Sequence, residues 1–184
     1  MDPAPMNPKR IRGPVSGWAL GAADALICLG WGASVWVASR IEAGATLRTA
    51  ALFAHLGALV LGMGAVLTID YYGVLWLLGR RTLGQLLDFT EPLHTPVWAG
   101  LAGLVVSGVL LHPDPADPLT RVKLALVLVV ALNGVHARDL HRRLAGRSEP
   151  GSARGLLMCG GILAAVSQLG WWGALAIGFI NNQS

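Results

Sequence analysis

Long stretches without any charged side chain are the feature that most constrains this sequence. Residues 93–112 and 155–184 contain no Asp, Glu, Lys or Arg, although about 20 apolar residues are enough for a helix to span a bilayer. Hydrophobic residues make up 54% of the 184-residue chain and charged residues only 13%, well below the charged fraction of an ordinary soluble domain. The sequence therefore predicts an integral membrane protein and argues against a water-soluble fold.

The spans are expected to be α-helices. Twenty-four glycines and a richness in Ala, Leu and Val suit helices that pack closely in lipid, whereas a transmembrane barrel needs strands of alternating apolar and polar residues. Hydropathy and turn residues predict an all-α bundle of five transmembrane helices. Residues 1–14 are read as a cytoplasmic tail and residues 15–184 as one helical domain, with the first span at its periphery. The predicted spans are residues 17–39, 49–78, 94–112, 119–136 and 155–180.

The basic residues are distributed unevenly between alternate loops. Ten of the fourteen fall before the first span, after the second, or between the fourth and fifth, and four fall on the other side. The positive-inside rule then predicts a cytoplasmic N-terminus and an external C-terminus, in a multi-pass protein of a cytoplasmic membrane of the bacterial inner-membrane type. Topology and the lipid bilayer account for the net charge of +4, so no nucleic-acid partner is needed.

Three polar side chains are predicted at similar depth near the outer ends of their spans: His55, His112 and Lys123. In helical register His55 shares a face with Gly62, where the missing side chain would let a flat macrocycle approach the backbone. Imidazole is a common axial ligand of haem iron. This pattern favours a haem site with His55 on the iron and His112 or Lys123 as second ligand. The alternative is that the glycines form a helix-packing seam and His55 hydrogen-bonds a neighbouring helix.

Other polar residues within the spans raise further possibilities. His94 and His136 lie near the inner ends of their spans and form a possible second site, whereas His141 is expected in a solvated basic loop. Asp70 and Asp24 are buried polar residues for which hydrogen-bonded partners are expected, with Gln168 among the candidates for Asp70. Cys28 and Cys159 form no CxxC or CxxCH pattern, which argues against covalently attached haem.

Five motifs follow one another along the chain: AHLGALVLGMG at 54–64, GRR at 79–81, TPVW at 95–98, VSGVLL at 106–111 and RVKLALVL at 121–128, followed by His136. Their order resembles the superfamily of copper-resistance D-like membrane proteins and the four-helix, membrane-type protoporphyrinogen oxidase. The resemblance covers residues 50–180 and leaves the first span as an addition. It implies haem b binding, with His55 and Lys123 at the positions that match the family's haem-binding histidine and lysine.

These features predict a haem b-binding redox or electron-transfer protein with its cofactor in the outer half of the bundle. If it is an enzyme, it is a haem-dependent membrane oxidoreductase, with a membrane redox protein or quinone as partner. Two alternatives stay open, a non-catalytic subunit of a larger complex and a metal or small-solute permeation protein. A homo-oligomer is equally open. Soft Cu(I) paths use clusters of Met and Cys, which are scattered here. No nucleotide-binding or hydrolase motif is present.

Overall fold

The chain folds into six α-helices, described by a computed structural model over residues 15–146 and 154–181. No strand occurs in these ranges. A single 3-10 turn, Glu91–Leu93, joins the third helix to the fourth. The helices are α1 Gly17–Ala38, α2 Ala45–Leu77, α3 Leu83–Thr90, α4 His94–Leu110, α5 Pro118–Ala145 and α6 Arg154–Asn181.

Among the described residues, five segments are long and apolar enough to cross a membrane: α1, α2, the continuous segment Leu83–Leu110, α5, and Gly155–Asn181 within α6. Large apolar side chains cover their outer surfaces, with Phe53 82% and Trp18 80% exposed. Such a surface is stable in lipid and not in water. The prediction of an all-α, five-span membrane bundle is confirmed, and the protein is a multi-pass membrane protein.

The core of the bundle is built from two helix pairs. α2 packs along α4 and α5 packs along α6, whereas α1 contacts α5 and α4. The buried cluster between the pairs draws residues from α2, α4, α5 and α6 and none from α1: Met63, Val66, Leu101, Val130 and Trp171.

A glycine seam brings α2 and α4 into backbone contact. A Cβ placed on Gly100 would lie 2.5 Å from the Cα of Gly62 and 2.8 Å from the carbonyl oxygen of Ala58. A Cβ on Gly62 would lie 2.8 Å from the Trp171 ring. α4 and Trp171 therefore cover the face at Gly62 that was predicted to be available to a macrocycle. This arrangement is the alternative prediction, in which the glycines form a helix-packing seam. A Cβ on Gly73, further along α2, would meet nothing within 4 Å.

Two features of the helices depart most from the predicted spans. α3 was not predicted, because its eight residues include Gln85 and Asp88 and lack the length of an apolar span. α5 continues nine residues beyond His136, to Ala145, and carries Arg142 and Arg143 in its last turn. A helix that leaves the hydrocarbon can keep its backbone hydrogen bonds while its side chains become charged, and basic residues near a helix C-terminus are favourable.

Loop contacts show which ends of the helices lie together. The Nδ1–H of the His112 imidazole donates a 3.0 Å hydrogen bond to the carbonyl oxygen of Ile41, so the α1–α2 and α4–α5 loops meet. Asn181, at the end of α6, donates to Asp117 in the same region at 3.0 Å. We call this the Lys123 end. At the opposite, basic end, the backbone N–H of Val15 donates to Asp139 at 3.1 Å. The predicted tail, residues 1–14, lies outside the described residues.

Candidate functional site

His55 lies half-buried on α2 and faces α4. Its Nδ1 is 2.9 Å from the hydroxyl oxygen of Ser107, which is only 4% exposed. The Ser107 hydroxyl in turn donates to the carbonyl oxygen of Gly103. Because a hydroxyl carries one proton and Ser107 uses it for Gly103, the imidazole donates from Nδ1. In the neutral ring the lone pair of His55 then resides on Nε2, and the imidazole also has a backbone hydrogen bond with Leu104.

Lys123 on α5 lies close enough to His55 for its charge to act on the imidazole. Its Nζ packs against α6, where a Cβ on Gly178 would be 3.4 Å away. Gly108 of α4 similarly faces His55, with its virtual Cβ 3.7 Å from the imidazole Cε1. Among the described residues, no carboxylate lies within 4 Å of the lysine nitrogen. The half-buried ammonium thus has no counter-ion from the part of the chain that the structure describes.

His112 occupies a different setting. It is exposed after the end of α4, adopts a positive φ of 52°, and uses Nδ1 for the carbonyl of Ile41. A non-glycine residue at positive φ is usually found at a tight turn. Of the two residues predicted as second ligand, the structure brings Lys123 into electrostatic range of His55 and ties His112 to the α1–α2 loop.

The two inner histidines have different neighbours. The rings of His94 and His141 lie 5.2 Å apart in an edge-to-face arrangement. His136 Nε2 lies 3.2 Å from a carboxylate oxygen of Asp24. These contacts place His94 beside His141 and His136 beside Asp24, so they do not join His94 to His136 in one site. The expectation that His141 lies in a solvated loop is wrong, because α5 extends through it and packs it against α4.

Each of the two predicted buried carboxylates contacts a polar side chain of another helix. Gln168 of α6 donates to Asp70, which confirms one of the predicted partners, and accepts from the indole N–H of Trp172 at 2.9 Å. Asp24 contacts His136 through one oxygen, while its Oδ1 is buried without a hydrogen-bond partner among the described residues. These groups join α2 to α6 and α1 to α5, as polar side chains often do between membrane helices.

Ser107 is the site residue that sequence reasoning missed. It is a small polar residue in a stretch of Val, Leu and Gly, and its partner lies 52 residues away. Its available signal was a hydroxyl well inside an apolar span that also carries glycines, whereas the other hydroxyl of the span, that of Thr95, lies at its start. That signal is weak, because serine commonly bonds back to its own helix.

The described residues contain no group of three or more His, Cys, Asp or Glu side chains that could hold a metal ion. An ion bound only by protein ligands usually needs three or four of them. Haem makes a smaller demand, because the porphyrin supplies four nitrogens and the protein only the axial positions. An imidazole with its lone pair on Nε2 has the chemistry of an axial haem ligand, whereas the described residues around it do not supply the three or four ligands of an ion bound by protein alone.

Comparisons with protein-family models, with curated proteins and with solved structures give no match for this chain. The resemblance to the copper-resistance D-like and protoporphyrinogen oxidase-like proteins stays a prediction.

Proposed function

We propose that this protein binds haem b at the Lys123 end of the bundle, with His55 as axial ligand, and serves as a membrane redox or electron-transfer protein. The observation that carries the proposal is the hydrogen bond from His55 Nδ1 to Ser107. Histidines that bind metals usually donate their second ring nitrogen to a neighbouring acceptor, which fixes the ring and its tautomer. Ser107 performs that role here and leaves Nε2 for the iron.

The surroundings suit haem in two further respects. Neutral imidazole is a ligand that a membrane interior tolerates without a buried charge. Gly108, beside the imidazole, adds no side chain next to the ring. When bound, haem supplies one-electron chemistry at a potential that the axial ligands and the dry surroundings adjust.

Lys123 fits the cofactor's propionates better than its iron. As a ligand the lysine must be neutral, whereas as an ammonium it pairs with a carboxylate. Its nitrogen has no carboxylate partner among the described residues, so an anionic propionate would supply the missing charge. We therefore propose Lys123 as the residue that orients the haem through a propionate. The competing prediction is that Lys123 or His112 is the second axial ligand of the iron.

The test is optical absorption of protein purified from cells with ample haem. We expect a Soret band in the wild type and none in His55→Ala, with His136→Ala as the matched control because His136 lies at the basic end. Ser107→Ala should retain the band but weaken haem affinity about 10- to 100-fold, as expected for loss of a supporting hydrogen bond. A wild type without a Soret band would end the proposal and favour the non-catalytic subunit.

Lys123→Arg separates the two roles of the lysine. Arginine keeps the charge and cannot ligate iron, because it stays protonated. If Lys123 holds a propionate, Lys123→Arg keeps the wild-type spectrum and Lys123→Met loses haem. If Lys123 is the axial ligand, both variants shift the spectrum.

The topology, the membrane location and the partner predicted from the sequence are proposed together with this function. The basic end is proposed to face the cytoplasm, because Arg80, Arg81 and Arg138 lie there with the end of α5. The cytoplasmic membrane is the proposed location, and a quinone or membrane redox protein the proposed partner. The oxidase reaction of the family it resembles would be one haem-dependent activity of such a site.

A further inference from the structure

A shallow, largely open cavity of about 450 Å³ lies at the basic end, away from His55, and has no part in the proposed haem site. It is lined by Tyr72 near the end of α2, by Arg81 in the turn that follows, and by Gln85, Asp88 and Phe89 of α3. The cavity thus combines two aromatic rings, an amide, a cation and a carboxylate.

Local structure holds the walls of this cavity in place. Gly79, at a φ of +69°, allows the chain to turn sharply from α2 into α3. Thr82 and Gln85 then form a capping box in which each side chain accepts from the other's backbone N–H, at 3.2 and 3.1 Å. The capping bond uses the Gln85 carbonyl oxygen and leaves its NH₂ group free to donate.

Aromatic rings form one side of the cavity. Tyr72 and Phe89 stack with their centroids 3.7 Å apart and their planes 17° from parallel. This contact fixes α3 against the end of α2. The face of such a ring attracts a cation.

The cavity lies where lipid head groups are expected. α2 has 33 residues, about 50 Å at the rise of an α-helix, whereas the hydrocarbon core is about 30 Å thick. α3 follows its end and is amphipathic, with Leu83, Leu86 and Leu87 half-buried and Gln85 and Asp88 exposed. A short helix of this kind lies at the boundary between hydrocarbon and head groups.

Two opposite charges line the cavity without pairing with each other. Neither Arg81 nor Asp88 has an oppositely charged group within 4 Å among the described residues, although Asp88 acts electrostatically on His141 of α5. Guanidinium binds phosphate and carboxylate binds ammonium, both by charge-assisted hydrogen bonds. A ligand that carries both charges would satisfy both walls at once.

We propose that this cavity binds the head group of a phosphatidylethanolamine-type lipid, with its phosphate on Arg81 and its primary ammonium at Asp88 beside the Tyr72 and Phe89 rings. A primary ammonium donates hydrogen bonds to the carboxylate, which a choline head group cannot do. An anionic glycerol head group lacks the cation that Asp88 requires. The proposal is independent of haem.

Native mass spectrometry of the detergent-purified full chain tests it, with short-chain phosphatidylethanolamine, phosphatidylglycerol and phosphatidylcholine as probes. We expect one phosphatidylethanolamine molecule to be retained, with an affinity at least about tenfold higher than that of the other two lipids. A tenfold difference in affinity is the contribution of one charge-assisted hydrogen bond. Soluble glycerophosphoethanolamine should compete, and glycerophosphoglycerol should not. Equal retention of the three lipids by the wild type would overturn the proposal.

Neighbouring residues provide matched controls. Arg81→Ala should remove the retained lipid, whereas Arg80→Ala, one residue away and outside the cavity lining, should not. Asp88→Asn should abolish the preference for phosphatidylethanolamine while phosphatidylglycerol still binds, and Glu91→Gln should preserve the preference. Equal effects of Arg80→Ala and Arg81→Ala would refute the phosphate assignment. If Arg81→Ala does not fold, an unchanged preference in Asp88→Asn refutes the proposal by itself.

Discussion

Ionisable side chains have different partners at the two ends of the bundle. At the basic end Asp139, only 6% exposed, accepts from Val15 and pairs with Arg143, and Asp24 pairs with His136. At the Lys123 end the described residues give His55 a neutral partner and leave the lysine without a carboxylate. An ionisable group within a membrane is expensive unless it is paired.

At the basic end, charged side chains join elements of the fold. Asp139, paired with Arg143 of its own helix, accepts from the backbone N–H of Val15 and so holds the start of α1 against α5. Lys123 joins no element through an ion pair among the described residues, as expected if it holds the propionate proposed for it. The contrast predicts opposite responses when charges are removed at the two ends.

The largest expected effect comes from the seam that positions the Lys123 end. Gly100 and Ser107 lie two turns apart on one face of α4, as Gly62 and His55 do on α2. Gly100→Ala would push its Cβ into the backbone of α2. We expect a loss of about 3 kcal/mol in the free energy of unfolding, because overlap with backbone cannot be relieved by a side-chain rotation.

Thermal unfolding in detergent measures this loss, and Gly73→Ala is the control, because its Cβ would meet nothing within 4 Å. A seam held by helix contact predicts that only Gly100→Ala lowers the midpoint. Equal midpoints for the two variants would show that α2 and α4 do not pack through these glycines.

The next effect tests the charge contrast itself. Asp139→Asn should lower the free energy of unfolding by about 2 kcal/mol, because a buried acceptor of charge-assisted bonds loses its charge. Lys123→Met should leave the haem-free protein equally or more stable, because it removes a half-buried cation and fills the space with an apolar chain. Urea or thermal unfolding of haem-free protein measures both. A destabilisation by Lys123→Met as large as that by Asp139→Asn would contradict the contrast.

The smallest expected effect is a pH dependence at the Lys123 end. The side-chain hydroxyl and then the backbone N–H of Thr120 hydrogen-bond Asp117 and hold its pKa below the ordinary value of 3.8. A lowered folded-state pKa stabilises the protein above the ordinary value, and the gain disappears as the pH falls through the folded-state pKa.

The midpoint difference between wild type and Asp117→Asn should therefore be largest near neutral pH and shrink between about pH 5 and about pH 2. Thermal scans of the two proteins across that range provide the measurement. A difference that stays constant with pH would mean that Asp117 stabilises α5 without its charge.

Much of the fold follows from the sequence, because a span of 20 apolar residues has few alternatives in a chain of this composition. α3 is the exception, since eight mixed residues resemble a loop unless the Thr82 and Gln85 capping pattern is recognised. The His141 error has a related cause. Hydropathy marks where side chains leave the hydrocarbon, and α5 continues as a helix beyond that point.

The candidate site was less predictable. Depth along each helix correctly places His55 and Lys123 at one end, but depth does not say which helices are neighbours. For that reason the contacts of His94 and His136 with different partners could not be derived, nor could the hydrogen bond between His55 and Ser107. The glycine pattern predicted a close approach at Gly62, by a macrocycle or, in the alternative, by a packed helix, and the approaching group is the backbone of α4.

The contacts of α1 also bear on the order in which the protein assembles. The α2–α4 and α5–α6 pairs are each formed by successive membrane spans, so each can close as a hairpin soon after synthesis. α1 is synthesised before the other described helices, yet its partners are α4 and α5. Trp31 of α1 donates a hydrogen bond to the carbonyl oxygen of Leu124 in α5. During biosynthesis this helix therefore stays exposed to lipid until α5, the third span after it, has been inserted. Its almost wholly apolar surface is stable in lipid during that time.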